Sequence, residues 1–131
     1  MNNLNIIHTM IRVKDLEESI SFYKGILGMN LNKKTDYKEG KFTLAFLGYG
    51  DIATHPQIEL TYNWDKNNYE MGDAFGHIAI STSDIVALCQ RVKEQGGKVV
   101  REPAAMKFGK TIIAFIEDPN GYKIELIEKT T

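Results

Sequence analysis

The chain has 131 residues, which is a suitable length for one domain of modest size. Hydrophobic residues make up 43% of it and charged residues 25%, and this composition argues against a disordered, collagen-like or coiled-coil protein. The 16 basic and 17 acidic residues give a formal net charge of -1, so the charge gives no reason to expect nucleic acid or a membrane as a partner.

The sequence carries no sign of export or of a membrane span. Its one cysteine, Cys89, cannot form a disulfide within the chain. The N-terminal residues MNNLNII lack the basic segment and the long apolar stretch of a secretory signal. No apolar run approaches the roughly 20 residues that a membrane-spanning helix needs. We therefore expect a soluble, cytoplasmic domain.

The most informative feature of the sequence is an internal repeat. The first half contains HTMIRVKDLEESISFYKGILG, FTLAFLGYG and IELTYNW, and the second contains HIAISTSDIVALCQRVKEQGG, IIAFIEDPNG and IELIEK. Each half begins with a histidine, includes an apolar segment with the pair Ala-Phe, and closes on Ile-Glu-Leu. We predict two copies of a strand-helix-strand-strand-strand unit, over about residues 4–66 and 74–129, within a single domain of residues 1–131.

The first repeat predicts one helix and four strands. Alternation along residues 6–13 predicts a strand with His8 and Arg12 on one face. Asp15 is placed to cap the helix that follows, and Gly28 is placed to end it. The remaining predicted strands run near residues 28–34, 42–47 and 57–63.

The second repeat predicts the same order. Residues 76–82 form the first strand, Asp84 caps the helix, and Gly96 and Gly97 end it. Residues 103–110 predict a mobile surface loop. The remaining predicted strands run near residues 98–101, 111–117 and 122–127, the last two joined by the turn Asp-Pro-Asn-Gly.

Four side chains at equivalent places in the two repeats are candidate metal ligands: His8, Glu59, His77 and Glu125. Two nitrogen and two oxygen donors suit a divalent metal, which can polarise a substrate oxygen and stabilise an enediolate. A single histidine or glutamate in such a position is more often structural or solvated. The recurrence of all four favours the metal site, and the structural interpretation stays open beside it.

Other polar residues are candidates for substrate binding. Arg12 lies on the face of His8, where it would bind a carboxylate or form a surface ion pair. Asn63 lies on the face of Glu59 and would bind a peptide-like ligand or end the strand in a turn. Lys107 and Lys110 would neutralise an anionic ligand or remain solvated.

At these residues the chain resembles the glyoxalase I family, the lactoylglutathione lyases of the vicinal oxygen chelate superfamily, in its short bacterial form. The resemblance runs from about Leu4 to Glu128. It implies an α+β fold of two βαβββ modules with curved mixed sheets, and a homodimer with two active sites at the interface. The matching stretches are LNIIHTMIRVKDLEESISFYKGILGM, LAFLGYG, IELTYNW, FGHIAIS and IAFIEDPNGYKIELIE.

The resemblance also implies how the metal is held. His8 and Glu59 of one chain join His77 and Glu125 of the other around one divalent metal per site. Histidine at position 8, where many zinc-type members have glutamine, favours nickel, with cobalt possible and zinc less expected.

The reaction implied by the resemblance detoxifies methylglyoxal. Its hemithioacetal with glutathione, or with a related thiol, is isomerised through an enediolate to S-lactoylglutathione. Glu125 is the catalytic base and Glu59 its near-symmetric partner. Arg12 and Asn63 hold the glutathione part. Asp73 stands where eukaryotic forms tend to carry an arginine that binds a carboxylate of the thiol. The identity of the thiol is therefore left open.

By resemblance, Lys107 and Lys110 fall in the active-site loop and bind substrate.

A thiol transferase or dioxygenase of the same superfamily commonly uses two histidines and one carboxylate, so a working Glu59 argues against these enzymes. A metal-free small-molecule-binding protein is the rival from another class, and four intact ligand types argue against it.

Overall fold

The structure is a computed structural model that describes residues 3–129. The chain forms two compact units, which divide between Glu70 and Met71. Each unit has the order strand, helix, strand, strand, strand, and each contains one four-stranded mixed sheet. The predicted fold class of two βαβββ modules is therefore confirmed. No helix within residues 3–129 is long and apolar enough to cross a membrane.

The first unit places its first and last strands side by side. Its sheet has the order β1-β4-β3-β2, in which β1 runs parallel to β4 and the other neighbours are antiparallel. Because α1 connects β1 to the rest of the unit, residues that are far apart in sequence become neighbours on β1 and β4. The elements are β1 His8–Arg12, α1 Leu16–Ile20 with a π-helical continuation Ser21–Ile26, β2 Asn30–Tyr37, β3 Phe42–Gly48 and β4 Gln57–Asn63.

The helix of the first unit begins and ends as the sequence predicts. The side chain of Asp15 accepts a hydrogen bond from the Glu18 amide at 3.0 Å. Gly28 follows the helix with φ +74°. The wider π-helical turn is a finding that the sequence did not predict; the Leu27 amide donates to the carbonyl of Phe22, five residues earlier, at 3.1 Å.

Gly28 and Gly25 offer a matched pair of substitutions for testing this helix end. A Cβ at either position meets no atom within 4 Å, and Gly28 has φ +74°. Alanine at Gly28 would adopt the left-handed backbone, so Gly28→Ala is expected to lower the free energy of unfolding by about 1 kcal/mol. Gly25→Ala, inside the helical segment, is expected to raise it by about 0.5 kcal/mol. Urea unfolding measures both changes, and equal stability of the two variants would contradict the prediction.

The second unit repeats the topology of the first. Its sheet has the order β5-β8-β7-β6, with β5 parallel to β8. The side chain of Asp84 accepts from the Ala87 amide at 3.0 Å and caps α2, as predicted. Asp118 accepts from the amides of Asn120 and Tyr122, which closes the predicted turn. The elements are β5 His77–Thr82, α2 Ile85–Glu94, β6 Lys98–Ala105, β7 Ile112–Glu117 and β8 Lys123–Glu128.

The predicted C-terminal ends of two strands are wrong; β2 continues three residues beyond its predicted end, to Tyr37, and β6 also continues further. Residues 103–105 were expected in a loop, but β6 continues through Ala105 and the loop begins at Met106. Pro103 lies where the β6–β7 register shifts, between Arg101 and Ala104. The irregularity accommodates a residue without an amide donor, so the strand continues past the proline.

The fully buried apolar side chains of β4 and β8 lie on one face of each sheet, and the candidate glutamates lie on the other. Along β4, Leu60 is fully buried and its neighbours Glu59 and Thr61 are half-buried. Along β8, Ile124 and Leu126 are fully buried on either side of the half-buried Glu125. Since side chains alternate along a strand, burying one set against the helix directs the glutamates to the opposite face.

Candidate metal centre

The first unit brings His8 and Glu59 into direct contact. His8 begins β1 and Glu59 lies on the adjacent parallel strand β4. The His8 Nε2 atom is 2.9 Å from the Glu59 Oε1 atom. The glutamate side chain is 12% exposed and the histidine side chain 39%, so the pair lies at the surface of the sheet with its carboxylate largely covered.

The second unit forms the equivalent pair. His77 begins β5 and Glu125 lies on the adjacent parallel strand β8. The His77 Nε2 atom is 3.2 Å from the Glu125 Oε1 atom, and the side chains are 42% and 18% exposed. The internal repeat of the sequence therefore becomes a repeated imidazole–carboxylate pair in the structure.

A phenylalanine packs against each histidine. The ring of Phe46 on β3 lies edge-to-face with His8 at a centroid distance of 5.6 Å. Phe115 on β7 contacts His77 in the same way at 5.4 Å. Each phenylalanine is also the register partner of the glutamate, Phe46 of Glu59 and Phe115 of Glu125. These rings restrict the orientation of the imidazoles.

The sequence reasoning did not identify Phe46 and Phe115 as site residues. The signal was present, because the pair Ala-Phe occurs in both repeats at Ala45-Phe46 and Ala114-Phe115. It was interpreted only as evidence of duplication. A contact of Thr61, which lies on the same strand face as Glu59, was also missed; its hydroxyl donates to the Glu59 Oε2 atom at 3.1 Å.

The donor atoms of each pair fit a divalent metal. Two ligand atoms that lie about 2.1 Å from a metal and about 90° apart are about 3.0 Å from each other. The observed separations of 2.9 and 3.2 Å match this value. Imidazole nitrogen with carboxylate oxygen is a donor set that suits zinc, nickel and related metals. Within residues 3–129, no group of three or more metal-binding side chains lies close enough together to hold a metal ion. The binding of one metal by both imidazole–carboxylate pairs therefore stays a prediction.

The family follows from a comparison with known proteins. The family model of the Glyoxalase/Bleomycin resistance protein/Dioxygenase superfamily matches residues 5–126. This chain belongs to that superfamily. The resemblance drawn from the sequence motifs is thereby confirmed.

Relatives of this glyoxalase-superfamily chain are similar over most of its length. It is 55% identical over 126 residues to the lactoylglutathione lyase of Neisseria meningitidis serogroup A, which covers 96% of this chain and 91% of that one. The structure of glyoxalase I from Zea mays has a TM-score of 0.93 and 43% identity; the match covers 96% of this chain and 45% of the maize chain. The trypanothione-dependent glyoxalase I of Leishmania major has a TM-score of 0.87 and 40% identity, covering 96% and 87%.

In this superfamily member, Arg12 and Asn63 lie toward the same end of the β1–β4 pair. Arg12 is the register partner of Thr61, and Asn63 is the second residue after Thr61. The Asn63 side-chain amide donates to the hydroxyl of Tyr69 at 2.9 Å. The Lys66 ammonium lies 4.8 Å from the centre of the Tyr69 ring. The two predicted substrate-binding residues therefore follow the His8–Glu59 pair along the strands.

The two predicted loop lysines lie in the connection between β6 and β7. The Lys107 ammonium is 5.2 Å from the centre of the Phe108 ring, and Phe108 is 90% exposed. Lys110 is exposed in the same loop. The anion contact expected of Lys107 and Lys110 stays a prediction.

The cysteine of this chain has a packing role. Cys89 is buried on α2. Burial raises the pKa of its thiol, the charge of Glu102 raises this pKa further, and Lys93 partly offsets both. A thiol with a raised pKa is a weak nucleophile, which leaves the two imidazole–carboxylate pairs as the candidate centre.

Proposed function

We propose that this chain is a lactoylglutathione lyase, which isomerises the hemithioacetal of methylglyoxal and glutathione to S-lactoylglutathione. The observation that carries the proposal is the repeated imidazole–carboxylate pair, at 2.9 and 3.2 Å, on equivalent strands of the two units. The 55% identity to the Neisseria lactoylglutathione lyase over nearly the whole chain supports the same reaction.

The proposed metal ligands are His8, Glu59, His77 and Glu125. A bound divalent metal would supply positive charge that stabilises the negative charge developing on the substrate oxygens. We propose nickel as the metal, with cobalt as the substitute and zinc as the weaker choice. The support is the histidine at position 8, which replaces the glutamine of many zinc-type members.

We propose a homodimer in which His8 and Glu59 of one chain face the partner's His77 and the partner's Glu125. Each unit offers two of the four ligands, which is half of the proposed coordination. The described surface also carries apolar side chains that an interface would cover; Leu4, Ile6 and Ile7 are 76%, 78% and 67% exposed.

The chemical step is proposed for Glu125. Its carboxylate would take the proton from the hemithioacetal carbon and return it to the neighbouring carbon. One C–H bond breaks and another forms, and the hydroxyl proton of the hemithioacetal carbon passes to the oxygen of the neighbouring carbon, so the change is an isomerisation that consumes no oxidant or other co-reactant. The carboxylate is 18% exposed beside Phe115, and this partial covering from water would favour proton transfer to carbon over exchange with solvent.

The thiol part of the substrate is proposed to bind along the first unit. The Arg12 guanidinium would bind a glutathione carboxylate, and the Asn63 amide would bind the peptide part. Lys107 and Lys110 would neutralise the remaining negative charge. Glutathione is supported by the name of the Neisseria relative, and the trypanothione dependence of the Leishmania enzyme makes other thiols worth testing. A reduced thiol as cosubstrate fits a cytoplasmic location.

Replacement of Arg12 tests the proposed carboxylate contact. Loss of a charge-assisted, bidentate hydrogen bond is expected to raise KM about tenfold or more in Arg12→Ala, with a smaller change in kcat. Arg101→Ala is the control, because Arg101 lies on β6 and donates to the carbonyl of Ala105. Steady-state kinetics measures both parameters, and an unchanged KM in Arg12→Ala would contradict the contact.

An activity titration tests the function itself. The metal-free chain is mixed with Ni²⁺, Co²⁺ or Zn²⁺ and given methylglyoxal with glutathione, and thioester formation is followed by ultraviolet absorbance. We expect activity to appear with one metal per site and to be highest with Ni²⁺. A chain that is inert with every metal, with glutathione and with alternative thiols, would refute the lyase proposal.

A further inference from the structure

The two glutamates differ in how their carboxylates are held. The Glu59 Oε1 atom contacts His8 Nε2 at 2.9 Å, and its Oε2 atom accepts a hydrogen bond from the Thr61 hydroxyl at 3.1 Å. Both oxygens of Glu59 therefore have a partner on strands β1 and β4. The corresponding neighbour of Glu125 is Ile127, whose side chain has no hydrogen-bonding group.

The register shows that Thr61 and Ile127 occupy equivalent positions. Each is the second residue after its glutamate and therefore lies on the same strand face. In the parallel pairs, Thr61 is the partner of Arg12 and Ile127 is the partner of Ser81, both four residues after the histidine of their strand. The difference between threonine and isoleucine thus falls at matched places in the two repeats.

The hydroxyl changes what the neighbouring carboxylate can do. A hydrogen bond to an ionised oxygen orients the carboxylate and restricts its side-chain rotamers. Such restriction favours a ligand that stays in place. An isoleucine at the same position gives the carboxylate no such anchor, which suits a group that must reach a carbon, accept a proton and release it.

We propose that Thr61 is a positioning residue that holds Glu59 as the fixed ligand beside His8, and that Ile127 leaves Glu125 free to carry the proton. This inference rests on the proposed function and deepens it. It explains from contacts in the chain why two glutamates in equivalent repeats have unequal roles.

The test compares four variants with small changes of side chain. Thr61→Val keeps the shape of the side chain and removes the donor, and Thr61→Ser keeps the donor. Thr35→Val is the matched control. Thr35 on β2 is the register partner of Leu44 on β3, and Leu44 is the register partner of Thr61 on β4, so Thr35 lies two strands away from Thr61. Ile127→Thr adds a hydroxyl beside Glu125.

Metal binding is measured with Ni²⁺ alone, by competition with a chelator, and the coordination with Co²⁺, by its visible absorption spectrum. Thr61→Val is expected to weaken Ni²⁺ binding about tenfold and to shift the Co²⁺ spectrum, as losses of such supporting contacts do. Thr61→Ser and Thr35→Val are expected to bind as the unchanged chain does. In the lyase assay, Ile127→Thr is expected to lower kcat several-fold with KM and Ni²⁺ affinity unchanged.

The outcomes separate the inference from the function on which it rests. If the unchanged chain binds neither metal, the proposed function fails and the role of Thr61 fails with it. If the unchanged chain binds metal and is active, but Thr61→Val binds Ni²⁺ equally well, only the inference is overturned. Equal weakening in Thr61→Ser and Thr61→Val, or an unchanged kcat in Ile127→Thr, would also overturn it.

Discussion

The Glu125→Gln variant is expected to fold and bind metal but to lose about 10³-fold in kcat or more. Glutamine keeps the size of the side chain and its carbonyl oxygen can still act as a ligand, but the amide cannot accept the substrate proton. Circular dichroism and Ni²⁺ binding would report the intact site, and steady-state assays would report the loss of turnover. A kcat near that of the unchanged chain would refute Glu125 as the base.

Two further Glu→Gln variants serve as controls for this result. Glu117→Gln removes a carboxylate that pairs with Lys123 at 2.7 Å on the neighbouring strand, and it is expected to leave kcat unchanged. Glu59→Gln is expected to weaken Ni²⁺ binding, so that added Ni²⁺ restores part of the activity. Added Ni²⁺ is not expected to restore Glu125→Gln, because that variant lacks the proton acceptor.

The second prediction is that two inactive variants of this chain recover activity when they form a mixed dimer. One chain carries His8→Ala with Glu59→Gln, and the other carries His77→Ala with Glu125→Gln. If each metal is shared by two chains, a mixed dimer contains one intact site and one site in which all four proposed ligand residues are replaced. Random pairing of equal amounts is expected to restore about 25% of the activity, since half of the dimers are mixed and each has one of two sites.

The experiment uses differently tagged chains that are expressed together, so that mixed dimers are purified and counted. Two tagged copies of the same inactive chain are the control and are expected to stay inactive. Purified mixed dimers without activity would contradict the shared site, because each chain would then have to supply all four ligands itself.

Local signals predicted most of the fold. Asp15 and Asp84 cap the two helices, and Gly28 ends the first one, as their chemistry requires. The errors arise where local rules leave several conformations open. Periodicity does not separate an α-helix from the π-helical turn before Leu27, and Pro103 was treated as the start of a loop although a strand can pass it at an irregular register.

The candidate site was predictable in its residues and less so in its contacts. Duplication of the motifs indicated His8 and Glu59 with their counterparts, and the structure joins each pair within its unit. The contacts of Phe46 with His8 and of Thr61 with Glu59 depend on which residues face each other on neighbouring strands. The alternation of side chains predicts which face of a strand a residue lies on, but not which residue of the neighbouring strand lies beside it. The sequence alone therefore did not predict these contacts.

The parallel pairing of the first and last strands has a consequence for biosynthesis. His8 and Glu59 become neighbours only when β4 docks beside β1, which requires the entire unit to have left the ribosome. A nascent chain that ends before Glu59 contains only one of these two donors, so the proposed pair of ligands would form only after the whole unit has been synthesised. If the proposed site binds a metal, binding would therefore follow folding and would add stability only to the folded chain.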